Sequence, residues 1–328
     1  NTGFEVEGNL SLIRNPKGFN WDFSFNASLV HNKIIKLPYN GNENNRQGGT
    51  QVFDPKTQQV IWVGGYQEGH TMGDIYAYKQ VKILSDWNEV NTMAGDYIDM
   101  IAGLYGPNVS DADKKKYGLT KPIEPGDVLW ADLDGNHKID QLDRVKVGNI
   151  YPKWTGGFST TLSYKNVSLY GRFDFALGHT ILNMVAMRSL GQSVGFKNII
   201  KEGLKTWTEE NTNTDLPKSY YDDSTNKKNI YRDTKGSDIT SVNDRSSRFY
   251  EKGDYLALRE LTLNWKLPVN WISKVGMTNA SVYITGQNLF YITGYSGSSP
   301  EAPLTYPGVD AGRYPTPRTV LVGASVSF

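Results

Sequence analysis

The sequence predicts an all-β chain built of long antiparallel strands paired as hairpins, the pattern of a transmembrane β-barrel wall. Three observations carry that expectation. Apolar and polar residues alternate with period two over whole segments, which puts one kind of residue on each face of a sheet. The alternating segments run to about 9 to 13 residues, where strands of soluble proteins average about 5 to 6. Their connections are very short on one side and long on the other, as between the two rims of a barrel. Composition agrees: 20 Tyr, 12 Phe and 8 Trp among 328 residues suit pleated, half-buried surfaces.

The first hairpin opens with Phe4, Val6, Leu10 and Leu12 set against Glu5, Glu7, Asn9 and Ser11. Asn15-Pro16-Lys17-Gly18 makes a turn. Phe19, Trp21, Phe23, Phe25, Ala27 and Leu29 then alternate without a fault with Asn20, Asp22, Ser24, Asn26 and Ser28. In the second hairpin Phe158, Leu162 and Tyr164 lead into a tight Lys165-Asn166 turn, and Val167, Leu169, Phe173 and Phe175 resume the same face. Ser159, Thr161, Ser163, Ser168, Arg172 and Asp174 take the other face, where Arg172 and Asp174 would line a wet lumen. Further strands are expected at 255–267, with Leu261, Leu263, Trp265 and Leu267 on the apolar face, at 279–290 and at 318–328. Val320, Val322, Ala324, Val326 and Phe328 carry the alternation to the last residue.

Residues 31–72, 84–124 and 178–246 are rich in Asn, Gly, Asp, Lys and Thr and are expected to be the long connections. Within the last of them, spaced apolar residues from Ile181 to Trp207 predict helix over 180–208. Asn1 is not an initiator and a strand starts almost at once, so the chain is expected to begin inside a larger protein.

Several function classes drop out. With 35 Lys+Arg against 34 Asp+Glu, a net charge of +1 leaves no footprint for nucleic acid. Zero cysteines removes thiolate metal sites, cysteine nucleophiles and disulfides. No apolar run approaches the roughly 18 residues of a spanning helix, which excludes a helical membrane protein and leaves a barrel open. His31, His70, His137 and His179 show no metal-ligand or triad spacing, and no carboxylates are paired as a glycosidase would need, so no enzyme is expected.

The sharpest local motif is acidic: Asp132-Leu133-Asp134-Gly135-Asn136-His137-Lys138-Ile139-Asp140-Gln141-Leu142-Asp143. Asp132, Asp134, Asn136, Asp140 and Asp143 stand at positions 1, 3, 5, 9 and 12, and Lys138 at position 7 can offer its carbonyl, as in the EF-hand order that wraps Ca²⁺ in oxygens. His137 stands where that order places Gly, and Asp143 where it places the longer Glu. A metal-free polar turn is the alternative. Trp62, Trp87, Tyr105, Tyr220 and Tyr221 in the long connections are candidates to stack on sugar rings or clamp a peptide; packing within the loops is the other reading.

The run Gly286-Gln287-Asn288-Leu289-Phe290, then Thr293-Gly294-Tyr295-Ser296-Gly297, Pro300-Glu301, Tyr314-Pro315, Arg318 and the closing Phe328 resembles the C-terminal segment of SusC/RagA-type TonB-dependent outer-membrane transporters. Pro125-Gly126-Asp127, the acidic loop, Gly148, Pro152, Trp207, Asn211, Pro217 and Tyr255-Leu256-Ala257-Leu258-Arg259 agree in order, so the resemblance spans essentially the whole chain. It implies an outer-membrane barrel of 22 strands, of which residues 1–328 would supply about ten as the C-terminal portion. The plug domain, the TonB-engaging motif and the N-terminal strands are absent from this sequence. It further implies import of oligomeric glycans or peptides with a SusD-type surface lipoprotein as lid, energy drawn from the TonB complex through the missing N-terminal part, and Phe328 as an assembly signal. The alternative is a soluble or surface-exposed β-rich, calcium-dependent glycan-binding module.

Overall fold

The computed structural model describes residues 1–190, 200–219, 246–301 and 308–328. The alternating segments become one antiparallel sheet of seven strands that neighbour one another in chain order. They are β1 (Thr2–Ile13), β2 (Phe19–His31), β3 (Trp154–Tyr164), β4 (Val167–Leu177), β5 (Tyr255–Lys266), β6 (Asn279–Thr293) and β7 (Thr319–Ser327). The expectation of about ten wall strands is thus corrected to seven among the described residues. The remaining strands are short pieces inside the connections, which fold instead of running as open loops.

Register turns the sequence pattern into two faces. Phe25 stands opposite Phe158, Phe158 opposite Phe173, Phe173 opposite Leu258, and Leu258 opposite Phe290, so an apolar row crosses five strands. Trp21, Leu162, Leu169, Leu263, Ile284 and Val322 form another. The intervening rows are polar: Ser24, Ser159, Arg172, Glu260 and Gln287 in one, Asp22, Thr161, Tyr170, Thr262 and Thr285 in the next. Because a one-residue slip would exchange the two sets, six matched strands fix the register firmly. Stacked rings reinforce the apolar face, with Phe158 and Phe173 at 4.6 Å and Phe23 and Phe158 at 5.9 Å between centroids.

The two rims differ as the sequence predicts. On one side β1–β2 close through Asn15–Gly18, and β3–β4 through Lys165-Asn166, with Lys165 in the left-handed region at φ 52. Residues 267–278 join β5 to β6 there, and Ser327 ends opposite Asn279, which brings Phe328 to this rim. On the other side lie residues 32–153, 178–254 and 294–318.

These long connections pack on each other. The strand Asp74–Tyr78 pairs with Arg144–Asn149, Gln80–Ile83 with Val128–Trp130, and Thr50–Asp54 with Gln59–Val63. Tyr78, Leu84, Val90, Trp130 and Ile139 from the first connection share one buried cluster with Leu182, Met187, Trp207 and Phe249 from the second. The helix expected over 180–208 is corrected. Thr180–Asn183 is a strand paired with Tyr250–Lys252, Met184–Ser189 is α-helix, and Lys201–Lys205 is a 3-10 turn. Asn183 explains the switch, since its side chain caps the helix by accepting from the Ala186 N–H. Residues 191–199 of that stretch lie outside the described ones. Among the described residues no helix is long and apolar enough to cross a membrane, which says nothing of a barrel.

Candidate functional site

The sheet presents its polar face as a groove of about 490 Å³, lined by Ser24, Asn26, Ser159, Arg172, Asp174 and Arg259 among others. This is where the sequence places Arg172 and Asp174. In the folded connections a larger cavity of about 870 Å³ is lined by Asn183, Lys205, Asn211, Asp215, Arg248 and Arg313 among others. Arg248 is held there by an ion pair to Asp215 at 3.0 Å. Sequence reading missed this cavity, whose lining comes from residues far apart in the chain and carries no local motif.

The acidic loop sits against the hairpin Thr50–Val63 and folds on its own side chains. Asp132 accepts from the Gly135 and His137 N–H groups at 2.9 and 2.8 Å, Asp134 from that of Asn136, and Asn136 from that of Lys138. Asp143 accepts from Leu133 and Asp140, both at 2.8 Å, and closes a capping box over Gln141–Asp143. Carboxylate oxygens of Asp132, Asp134 and Asp143 come within 4.8 Å of one another, so three of the six expected ligands converge. Asp140 instead turns its carboxylate to the Leu142 N–H, and the Asn136 amide donates to Asp134. The strand Lys138–Ile139 lends its ladder the carbonyls of His137 and Ile139, which leaves that of Lys138 directed to the opposite side. His137 has φ 61, the left-handed backbone that the sixth loop position requires.

The electrostatics follow the crowding. Burial, with the charges of Asp140 and Asp132, pushes the Asp143 carboxyl up to about 6, despite the two backbone N–H groups it accepts. Burial, then hydrogen bonding with Asp132, also raises Asp134. His137 is raised by its 2.9 Å contact with Asp96, whose carboxyl is lowered in turn.

Among the described residues, the aromatic candidates Trp62, Trp87 and Tyr105 line neither the groove on the polar face nor the larger cavity. Trp62 lies in the strand Gln59–Val63 with the Arg46 guanidinium 3.6 Å from its ring centroid, so one ring face is already covered. Tyr105 packs beside Ile98, Val109 and Leu119, with Lys114 at 4.7 Å over its ring. Trp87, 57% exposed at the start of the helix Trp87–Met93, keeps an accessible indole. Tyr220 and Tyr221 lie outside the described residues. Phe328 follows the last strand and is 83% exposed.

No family model matches the chain. Among curated proteins it is 30% identical over 337 residues to the TonB-dependent receptor P3 of Formosa agariphila, covering 100% of this chain and 28% of that protein. It is 25% identical over 340 residues to the TonB-dependent receptor SusC of Bacteroides thetaiotaomicron, covering 100% of this chain and 26% of the relative. Among solved structures, that of the RagAB peptide transporter aligns with a TM-score of 0.62 at 21% identity, over 99% of this chain and 29% of its own. The fold is therefore that of a segment of an outer-membrane β-barrel. Over its whole length the chain is similar to a segment of SusC/RagA-type TonB-dependent receptors, and it spans less than a third of the length of the curated relatives it matches.

Proposed function

We propose that residues 1–328 are the C-terminal portion of an outer-membrane transporter that imports oligomeric nutrients with energy from the TonB complex. The single observation carrying this reading is the matched pair of faces: apolar rows suited to lipid on one side of seven long strands, polar rows suited to water on the other. In this account the wall is rigid and wet inside. The packed connections form the mouth, where a SusD-type lipoprotein would close over bound cargo. Energy enters through a plug carried by another part of the protein. No bond is made or broken, so the chain performs no enzymatic step.

The cargo is an oligosaccharide or a peptide. The cavity among the connections sets Asn183, Lys205, Asn211, Asp215, Arg248 and Arg313 beside apolar Val185, Leu190, Ile200 and Leu216, a mixed lining suited to a ligand with both hydrogen-bonding and apolar parts, and Trp87 is an exposed aromatic elsewhere on the connections. We assign Ca²⁺ a structural part in the acidic loop, held by Asp132, Asp134 and Asp143, with the Lys138 carbonyl, Asn136 and Asp140 completing the oxygen set after small rotations. Bound there, the ion would neutralise crowded carboxylates and fix the loop against its neighbouring hairpin.

Growth on oligomeric substrates tests the import reading. Deleting the gene for the whole protein should abolish growth on one class of oligomer, glycan or peptide, while growth on its monomer continues. Unchanged growth on every oligomer that supports the parent strain would reject it.

A further inference from the structure

Besides a shift near the rim of the β1–β2 pair, between Ser11 and Ile13, strict alternation breaks in the middle of the wall. Leu258 of β5 faces Phe173 of β4, and Glu260 faces Arg172, so Arg259 has no opposite number on that strand. On the other side Leu258 faces Phe290 and Glu260 faces Gln287, and Asn288 takes φ 52 to absorb the irregularity in β6. A bulge of this kind turns a side chain that alternation would send to one face toward the other. Arg259 is thereby aimed at the polar face, into a ring of acceptors from three elements.

Its guanidinium meets Asp174 of β4 bidentately, with Nε donating to Oδ1 and Nη2 donating to Oδ2 at 2.9 Å. Nη1 donates to the Tyr291 hydroxyl of β6 at 3.1 Å. Nη2 also donates to Glu301, which belongs to the connection beyond β6, and the Tyr291 hydroxyl donates to the same Glu301 oxygen at 3.1 Å. Only the fork of an arginine can serve these three acceptors at once. Nearby, His179 Nε2 stands 3.4 Å from the Pro300 carbonyl oxygen.

We propose that Arg259 is a clamp: the bulge points it inward so that it grips the Glu301 carboxylate, while Arg313 donates to the Glu301 backbone carbonyl, and the segment Ser299–Glu301 is fastened flat against the lumenal wall, out of the transport path. Asp174 orients the guanidinium, and Glu301 is the group held. The upstream part of the same connection has a separate anchor, where Ser296 donates its N–H and hydroxyl to Glu251. Loss of the clamp therefore loosens the Glu301 end, which keeps only its weaker contacts to Tyr291, Arg313 and His179, and leaves the Ser296 end in place. Arg259 lies in the barrel wall, and its clamp works alike whichever cargo is carried.

Hydrogen–deuterium exchange on the full-length transporter in detergent tests it. In Glu301→Gln, the amides of Ser299 and Glu301 should exchange about tenfold faster or more, while those of the β3–β4 hairpin stay at the wild-type rate. Arg259→Gln should match it, the double variant should add nothing, and Arg259→Lys should fall between, since it keeps the charge and loses the fork. Glu301→Gln retains the Arg259–Asp174 pair, so it decides the matter even if Arg259→Gln fails to assemble. Wild-type exchange at Ser299 and Glu301 in the Glu301→Gln protein would overturn the proposal, as would acceleration spread equally over the hairpin.

Discussion

Arginine at Phe23 is the most telling single perturbation of the wall. Phe23 is the fifth residue of β2, counting from the tight-turn rim. At about 3.3 Å per residue and a tilt near 40°, it lies about 13 Å above that rim, close to the middle of an apolar band about 25 Å tall. An Arg at mid-bilayer costs about 2 to 4 kcal/mol. The substitution also removes ring contacts with Phe25 at 6.1 Å and Phe158 at 5.9 Å. With each contact contributing about 0.5 to 1.5 kcal/mol, Phe23→Arg should destabilise the barrel by about 3 to 7 kcal/mol. Ser24→Arg, one residue on, enters the polar row of Ser159 and Arg172 and should cost about 1 kcal/mol or less. Urea titration of the full-length protein in lipid vesicles, followed by heat-modifiable migration, measures both. Equal destabilisation at the two positions would refute the assignment of faces.

Deleting Phe328 should lower the amount of folded barrel in the outer membrane, read by surface labelling; unchanged levels would make it an end residue without a role in assembly. Calorimetry of the full-length protein should find one weak Ca²⁺ site attributable to the acidic loop, abolished by Asp132→Ala and tightened several-fold by His137→Gly, because glycine adopts the φ 61 backbone without strain. Failure of Asp132→Ala to change calcium binding would leave the metal-free turn as the account of this loop. That binding should also be pH-dependent. Asp143 is pushed above the usual carboxylate range to about 6, so its proton stabilises the metal-free fold fully below the ordinary carboxylate value, and that contribution is lost as pH rises through about 6. Calcium needs the carboxylate, so affinity should rise between about pH 5 and pH 7 with release of a proton; a flat profile would exclude Asp143 as a ligand.

The wall was legible because its information is local: Phe19 to Leu29 announce their two faces within a single strand. The acidic loop was legible for the same reason, since its oxygens fall within twelve consecutive residues. Sequence could not show that Asp140 and Asn136 spend their side chains inside the loop, which depends on how the chain folds back on itself. Arg259 was hidden by the very pattern that revealed the strands. A bulge adds one residue to the count, and period-two reading has no place for it. The connections read as loops because their strands are short and carry Asn and Gly, yet Tyr78, Trp130 and Phe249, far apart in sequence, meet in one buried cluster. Trp62 and Tyr105 read either as surfaces for a ligand or as loop packing, and the cations that lie over their rings, Arg46 and Lys114, are recognisable only in three dimensions.

Single cysteines placed in turn at positions 19 to 29 of the full-length protein, and probed in intact outer membranes with a water-soluble maleimide, test the central claim most directly. Cysteines at Asn20, Asp22, Ser24, Asn26 and Ser28 should label, and those at Phe19, Trp21, Phe23, Phe25, Ala27 and Leu29 should not, with the weakest contrast near the two rims. Labelling that rises or falls smoothly along the strand, or is equal at odd and even positions, would contradict a barrel wall with one face in lipid and the other in water.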